Sequence, residues 1–246
     1  MKKNLIKMIL FVILFTGFAA YSFGETIYNI SMSLTRMYEQ YTDENSGRDF
    51  DGISFDGCLI GFPGKSPFGW YLKTSIGWYF SGTEWKDDSV AAADIFSATD
   101  IRLSTGPSFT LRAGSNFQIP ILIGPVISNY REEIYDYYYD YDSYCYDYND
   151  ISGFYEAITV GALCDVGVVL TSFNRFTITT GVTVNWDFLR WEKGFNAEMA
   201  YRTVNSGSFN SVNYNALKVS LYFGVGLRFD DSKVVGLPFD NARAIQ

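Results

Sequence analysis

Between Tyr214 and Phe229 the chain reads YNALKVSLYFGVGLRF, and from Asn215 onward every second residue is apolar. Leu217, Val219, Leu221, Phe223, Val225, Leu227 and Phe229 form one series. Ala216, Lys218, Ser220, Tyr222, Gly224, Gly226 and Arg228 form the other. Successive side chains of a strand point to opposite faces, so period-two alternation over this length specifies a strand. Soluble sheets usually use strands of about five or six residues. A tilted strand of this length is long enough to cross a bilayer.

The chain has 246 residues, which suits one domain. Beyond Phe23 no apolar run approaches the roughly eighteen residues that a membrane helix needs. A helical membrane protein is therefore excluded, whereas a barrel conceals its hydrophobicity in alternation. Aromatic residues make up 18% and charged residues 19%, the latter below the usual share for a soluble domain. Histidine is absent. Ser-His and Cys-His nucleophilic pairs, histidine bases and the commonest metal ligand go with it. The expectation is accordingly no enzyme, no cofactor and no metal site. The net charge of −8 and the lack of a basic stripe argue against a nucleic-acid partner. Three scattered cysteines are too few for a disulfide scaffold. Alternation places Cys58 toward the inside of a barrel, Cys145 in a loop and Cys164 toward lipid.

Residues 1–24 have the parts of a secretory leader: Lys2, Lys3 and Lys7, an apolar core over Met8–Phe18, and Ser22-Phe23-Gly24 before a cut at Glu25. Alternation then predicts eight strands, at about Thr26–Tyr38, Phe50–Phe62, Phe68–Phe80, Ile101–Arg112, Phe117–Ser128, Ala157–Leu170, Phe176–Phe188 and Tyr214–Phe229. Residues 63–67, 113–116 and 172–175 are short turns. Residues 39–49, 81–100, 129–156 and 189–213 are long polar connections, the second with a helical turn at its AAAD segment. In the second strand Ile53, Phe55 and Leu59 are expected outward. In the fifth, Pro120 and Pro125 weaken the pairing. Residues 25–229 form the barrel, and 230–246 a tail expected in the periplasm.

An even strand number with short turns alternating with long loops is the pattern of an antiparallel up-and-down transmembrane β-barrel. Phe62, Phe68, Trp70, Phe117, Phe176 and Phe229 are expected as an aromatic belt near the turns. Tyr38, Trp78, Phe80, Trp186 and Phe188 supply a second belt near the loops. A secreted β-sandwich or lipocalin-like barrel also alternates, but strand length and the short-long rhythm favour the membrane.

On these residues, from Thr26 to Phe229, the chain resembles the small eight-stranded outer-membrane barrels of bacteria, of the OmpX, OmpA and OmpW type, and in composition the small barrels of spirochaetes. The end of the last strand, with Gly224, Leu227 and Phe229, resembles the C-terminal assembly signal of such barrels. It departs from the usual pattern in that Asp230–Gln246 follow the phenylalanine. The resemblance implies outer-membrane lipid and the barrel-assembly machinery as partners.

The alternation predicts a cluster of inward charges: Asp56, Lys73, Arg102, Arg112, Asp165, Asp187, Lys218 and Arg228. Asp56 and Lys73 can lie nearly opposite one another across the turn at 63–67. Small barrels fill their interiors with side chains, and buried charges need partners. The cluster is expected to satisfy a polar lumen, with a conduction path as the sharper alternative. The Tyr/Asp-rich stretch 129–156 suits an extracellular protein partner, or Ca²⁺ through clustered carboxylates, although it lacks the ligand spacing of a calcium loop. The expected role is structural or surface-interacting (adhesin-like), and the alternative is a narrow OmpW-like channel for small or hydrophobic solutes.

Overall fold

The computed structural model describes residues 24–41, 46–64, 66–86, 89–90, 96–114, 116–134, 137–140, 145–148, 153–172, 175–193, 209–212 and 214–230. Eight long strands run β1 (Glu25–Tyr41), β2 (Ser46–Phe62), β3 (Phe68–Lys86), β4 (Phe96–Arg112), β5 (Phe117–Ile134), β6 (Gly153–Ser172), β7 (Phe176–Lys193) and β8 (Tyr214–Asp230). Each pairs antiparallel with its neighbour in sequence, and β8 returns to pair with β1. The ring of eight long strands is therefore closed. The leader core, the AAAD segment and all of the tail after Asp230 lie outside the described residues.

The register fixes the barrel's shape. A circuit of paired residues starting at Asn29 passes through Cys58, Lys73, Ser104, Val126, Gly161, Asp187 and Ala216. It returns to β1 at Glu39, a stagger of ten residues. Eight strands with that stagger tilt about 40° from the axis and enclose a cylinder roughly 8 Å in radius at ordinary strand spacings. Such a bore holds side chains and little else.

The short turns follow their residue chemistry. Gly64 and Gly114 sit at φ 60° and 81°, where a residue without Cβ is unstrained. The Ser66 N–H donates to the Pro63 carbonyl at 3.2 Å, closing the first turn. At the opposite end the ladders continue well beyond the predicted ends. β1 and β2 pair out to Tyr41 and Ser46, and β3 reaches Lys86. Much of each predicted polar connection is therefore strand: where the outward residues are polar too, as at Gln40, Asn129 and Arg131, the alternation that marks a membrane segment is lost. Short strands at Ser89–Val90 and Phe209–Val212 extend the wall. Cys145, expected in a loop, belongs to a separate two-stranded ribbon, Tyr137–Asp140 with Cys145–Tyr148.

Proline does interrupt β5. Its ladder with β4 stops at Ser104–Val126 and resumes at Ser108–Leu122 in the same register. The skipped rungs contain Pro107 and Pro125, which have no N–H to donate. On the other side, the ladder with β6 skips Ile119 and Pro120.

Candidate functional site

The outward set forms an apolar girdle. Ile30, Leu34, Leu221 and Phe223 are among its most exposed members, Ile30 at 71%. Trp70, Phe68, Phe176 and Phe229 mark one margin, and Tyr38, Trp78, Phe80, Trp186 and Phe188 the other. From the level of Phe229 to that of Tyr38, β1 climbs twelve residues, roughly 30 Å at a 40° tilt. That is the thickness of a bilayer's hydrocarbon core. So much contiguous apolar surface is unstable in water, and a lipid solvent resolves it.

The interior is layered. At the turn end the Glu25 carboxylate accepts from Arg112 (2.7 Å) and Gln118 (2.8 Å) and forms an ion pair with Arg228 (2.9 Å), joining β1 to β4, β5 and β8. Above it lies an apolar plug of Ile27, Ile60, Phe62, Tyr71, Leu122, Val126, Leu163 and Val169. At mid-height Lys73 Nζ donates to Asp165 (2.6 Å) and to the Thr183 hydroxyl (2.7 Å), and it lies 4.9 Å from the Tyr222 ring centre. Tyr222 donates to the other Asp165 oxygen at 2.9 Å. Gly167 and Gly181 make room for this tyrosine, since a methyl on either would strike its hydroxyl.

Further out, Arg102 forks onto both oxygens of Asp187 at 3.1 and 2.9 Å and also reaches Asp100. Asp100 accepts in addition from Tyr79 (3.0 Å) and Lys218 (3.2 Å). A second apolar layer follows: Met37, Phe50, Tyr79, Ala98, Tyr130 and Ala157. At the outer mouth Arg190 lies between the rings of Tyr130 and Tyr214 and pairs with Glu39 (3.3 Å) and Glu192 (2.7 Å). Arg48 holds Glu132 at 2.5 Å. These pairs cross the bore between distant strands, so they brace the wall and fill the path through it.

No family model matches the chain, and no curated protein matches it. Solved structures do. The outer membrane protein OprG of Pseudomonas aeruginosa aligns with a TM-score of 0.50 at 8% identity, over 86% of this chain and 98% of its own. The chain has the fold of a small outer-membrane barrel. Neisserial surface protein A (TM-score 0.43, 13% identity, 82% of this chain and 97% of its own) and Ail of Yersinia pestis (0.38, 10%, 84% and 99%) also match.

In this outer-membrane-type barrel all eight charges of the predicted cluster lie on the inner face. Asp56, Lys73, Arg102, Asp165, Asp187 and Lys218 are buried, and Arg112 and Arg228 are partly so. Asp56 and Lys73 are not an ion pair: Lys73 reaches across the bore to Asp165, and Asp56 accepts from Ser33 at 2.5 Å. Of the C-terminal motif, Leu227 and Phe229 face outward, and Phe229 meets Tyr28 edge-on at 5.8 Å. Gly224 lies against the Ile30–Ser31 backbone of β1.

Two expectations need correction. Phe62, placed in the aromatic belt, is 0% exposed: its even number puts it inward with Cys58 and Ile60, beneath the Arg112 guanidinium. Leu59 keeps its expected outward parity, although its register partners Tyr28 and Leu72 flank it and leave it only 8% exposed. The lumen, expected to be filled by polar and charged groups, contains the two apolar layers as well. Several buried charges were missed: Glu25, Glu39, Asp100, Glu132 and Arg190. The first four continue the inward parity of their strands past the predicted ends. Arg190 turns inward only because a bulge shifts the register between Asp187 and Leu189.

Proposed function

We propose that the protein is an integral component of the bacterial outer membrane with a structural or surface-interaction role. Its barrel would be an anchor, and the outer hairpins its working surface. The observation supporting this reading is the filled bore, with two apolar layers enclosing a mesh of cross-strand ion pairs. Residues 129–156 hold a run of tyrosines and acids and are the segment proposed to meet an extracellular protein partner. The residues before Glu25 would be the secretory leader, and those after Asp230 would lie in the periplasm. The test combines planar-bilayer recording of the purified protein with proteolysis of intact cells. Silence at high protein loading and cleavage within 129–156 are expected; steady current would sink the anchor reading.

One feature supports a second reading, a narrow OmpW-like channel for small or hydrophobic solutes. The apolar plug takes Leu122 and Val126 from β5, where the prolines remove rungs from the wall. Swelling of liposomes in a small apolar solute would favour it over the anchor. For biogenesis, Gly224, Leu227 and Phe229 are proposed as the signal read by the barrel-assembly machinery. Phe229→Ala is expected to slow assembly in cells by several-fold while leaving detergent refolding unchanged. Equal slowing in both would mean that Phe229 acts in folding alone.

A further inference from the structure

The mid-height charges do not balance locally. Four carboxylates, Asp56, Asp100, Asp165 and Asp187, meet three cations, Lys73, Arg102 and Lys218. Asp100, Asp165 and Asp187 each have an ion pair. Asp56 has none among the described residues, although it is only 6% exposed. Its Oδ2 accepts from Ser33, and its Oδ1 has no protein partner among those residues. A buried carboxylate left this way is costly unless something else solvates it.

Asp56 borders a cavity of about 20 Å³, also lined by Asn185, Lys73, Lys218 and Ser75. Asn185 is buried, and its Oδ1 has no hydrogen-bond partner among the described residues. An ammonium has three hydrogens to donate. Lys73 directs two of its bonds at Asp165 and Thr183, and Lys218 one at Asp100, so both have donors left over. The cavity lining thus gathers unspent acceptors together with unspent donors.

We infer that this cavity is a binding site for one water molecule, which links Asp56 and Asn185 to the lysine ammonium groups. Size sets the first limit, because the volume holds about one water and no larger solute. Charge sets the second. An anion would add to a layer that is already net negative, and a metal cation would sit among three cationic side chains. A neutral molecule that donates to Asp56 and Asn185 while accepting from a lysine meets both demands, with the two to four partners usual for buried water. This inference rests on the closed-lumen reading, since the apolar layers on either side are what would keep the water from exchanging with bulk.

The test uses the full-length protein, crystallised at a resolution that shows waters, once from a sodium salt and once from a thallium(I) salt. One peak is expected within hydrogen-bond distance of Asp56 and a lysine Nζ, without anomalous signal in thallium. An empty cavity overturns the inference, as does an anomalous peak, which would make it a monovalent-cation site. In solution, deuteron relaxation dispersion counts long-lived waters. Asp56→Leu fills the cavity and leaves three charges of each sign, so the count should fall by one. Should that variant not fold, Asn185→Leu serves the same purpose, and Ser33→Ala should retain the water. A count unchanged in the leucine variants also overturns the site. A crystallographic peak without any slow water, together with bilayer current, would instead defeat the closed lumen. An empty cavity in a silent barrel would defeat this inference alone.

Discussion

Lys73→Met removes the cation at the centre of the bore and leaves the Asp165 carboxylate buried with only the Thr183 and Tyr222 hydroxyls, at 2.6 and 2.9 Å. Both members of the pair are under a tenth exposed, and their heavy atoms are 2.6 Å apart. Breaking such a pair from one side costs about 3–5 kcal/mol, whereas an exposed pair is worth under about 1 kcal/mol. Asp165→Asn should cost a comparable amount, because it strands the ammonium. The double variant, Lys73→Met with Asp165→Asn, leaves no uncompensated charge, and its amide can still bond to Tyr222 and Thr183. Its loss should therefore fall short of the sum of the single losses by at least about 2 kcal/mol. Urea unfolding from lipid vesicles, followed by the fluorescence of the five tryptophans, measures all three. Additive losses, or a single-variant loss below about 1 kcal/mol, would mean that water reaches the pair. The account of a filled bore would then fail.

Other substitutions probe other layers. Glu25→Ala releases Arg112, Gln118 and Arg228 at once. A loss of about 2–3 kcal/mol is expected by urea titration, below the fully buried figure because the Arg112 side chain is 21% exposed. Gly167→Ala drives a methyl into the Tyr222 hydroxyl and should cost about 1–3 kcal/mol, with most of it restored by adding Tyr222→Phe. Gly181→Ala also strikes the Val166 carbonyl and should not be rescued this way. Leu221→Arg, in the middle of the girdle and 60% exposed, should cost about 2–4 kcal/mol in lipid vesicles. Tolerance of that charge would refute the lipid-facing assignment.

The wall was legible in the sequence because membrane strands obey a strict parity: an outward Leu221 forces an inward Ser220 and Tyr222 across the whole span. The same parity could have flagged the apolar plug, since Ile60, Leu122, Leu163 and Val169 stand on the inward series beside serines and acids. Strand ends were not legible. Beyond the outer belt the outward residues are polar as well, as Gln40, Asn129 and Arg131 are, so neither composition nor alternation distinguishes ladder from loop, and the buried Glu39 and Glu132 were lost with them. Which cation meets which carboxylate was also hidden. Lys73 and Asp165 are 92 positions apart and meet only across the closed bore, at a relative height set by the stagger of ten residues. The Asp187–Leu189 bulge left no local signal, so Arg190 read as part of a polar loop.

If the bore passes nothing, what the barrel offers its surroundings is its outer rim, and the strand extensions determine how that rim is presented. β3 continues six residues beyond Phe80 of the outer belt, to Lys86, a rise of roughly 15 Å at this tilt. β5 and β6 remain paired to Ile134 and Gly153 on the way to the Tyr137–Asp140 and Cys145–Tyr148 ribbon. A segment carried on paired strands has already lost much of the backbone freedom that a partner would otherwise have to restrain, and that restraint is a main cost of binding through loops. The Arg190 stack and the Arg48–Glu132 pair stand just inside these extensions and tie β1, β2, β5, β7 and β8 together at the mouth. Cutting that tie with Arg190→Ala should therefore leave the membrane girdle folded but loosen the rim. The sign would be faster protease cleavage within 129–156 on intact cells, with unchanged resistance of the membrane-embedded fragment. Equal sensitivity of both would show that rim and girdle unfold as one unit, and the separation of anchor from working surface would not stand.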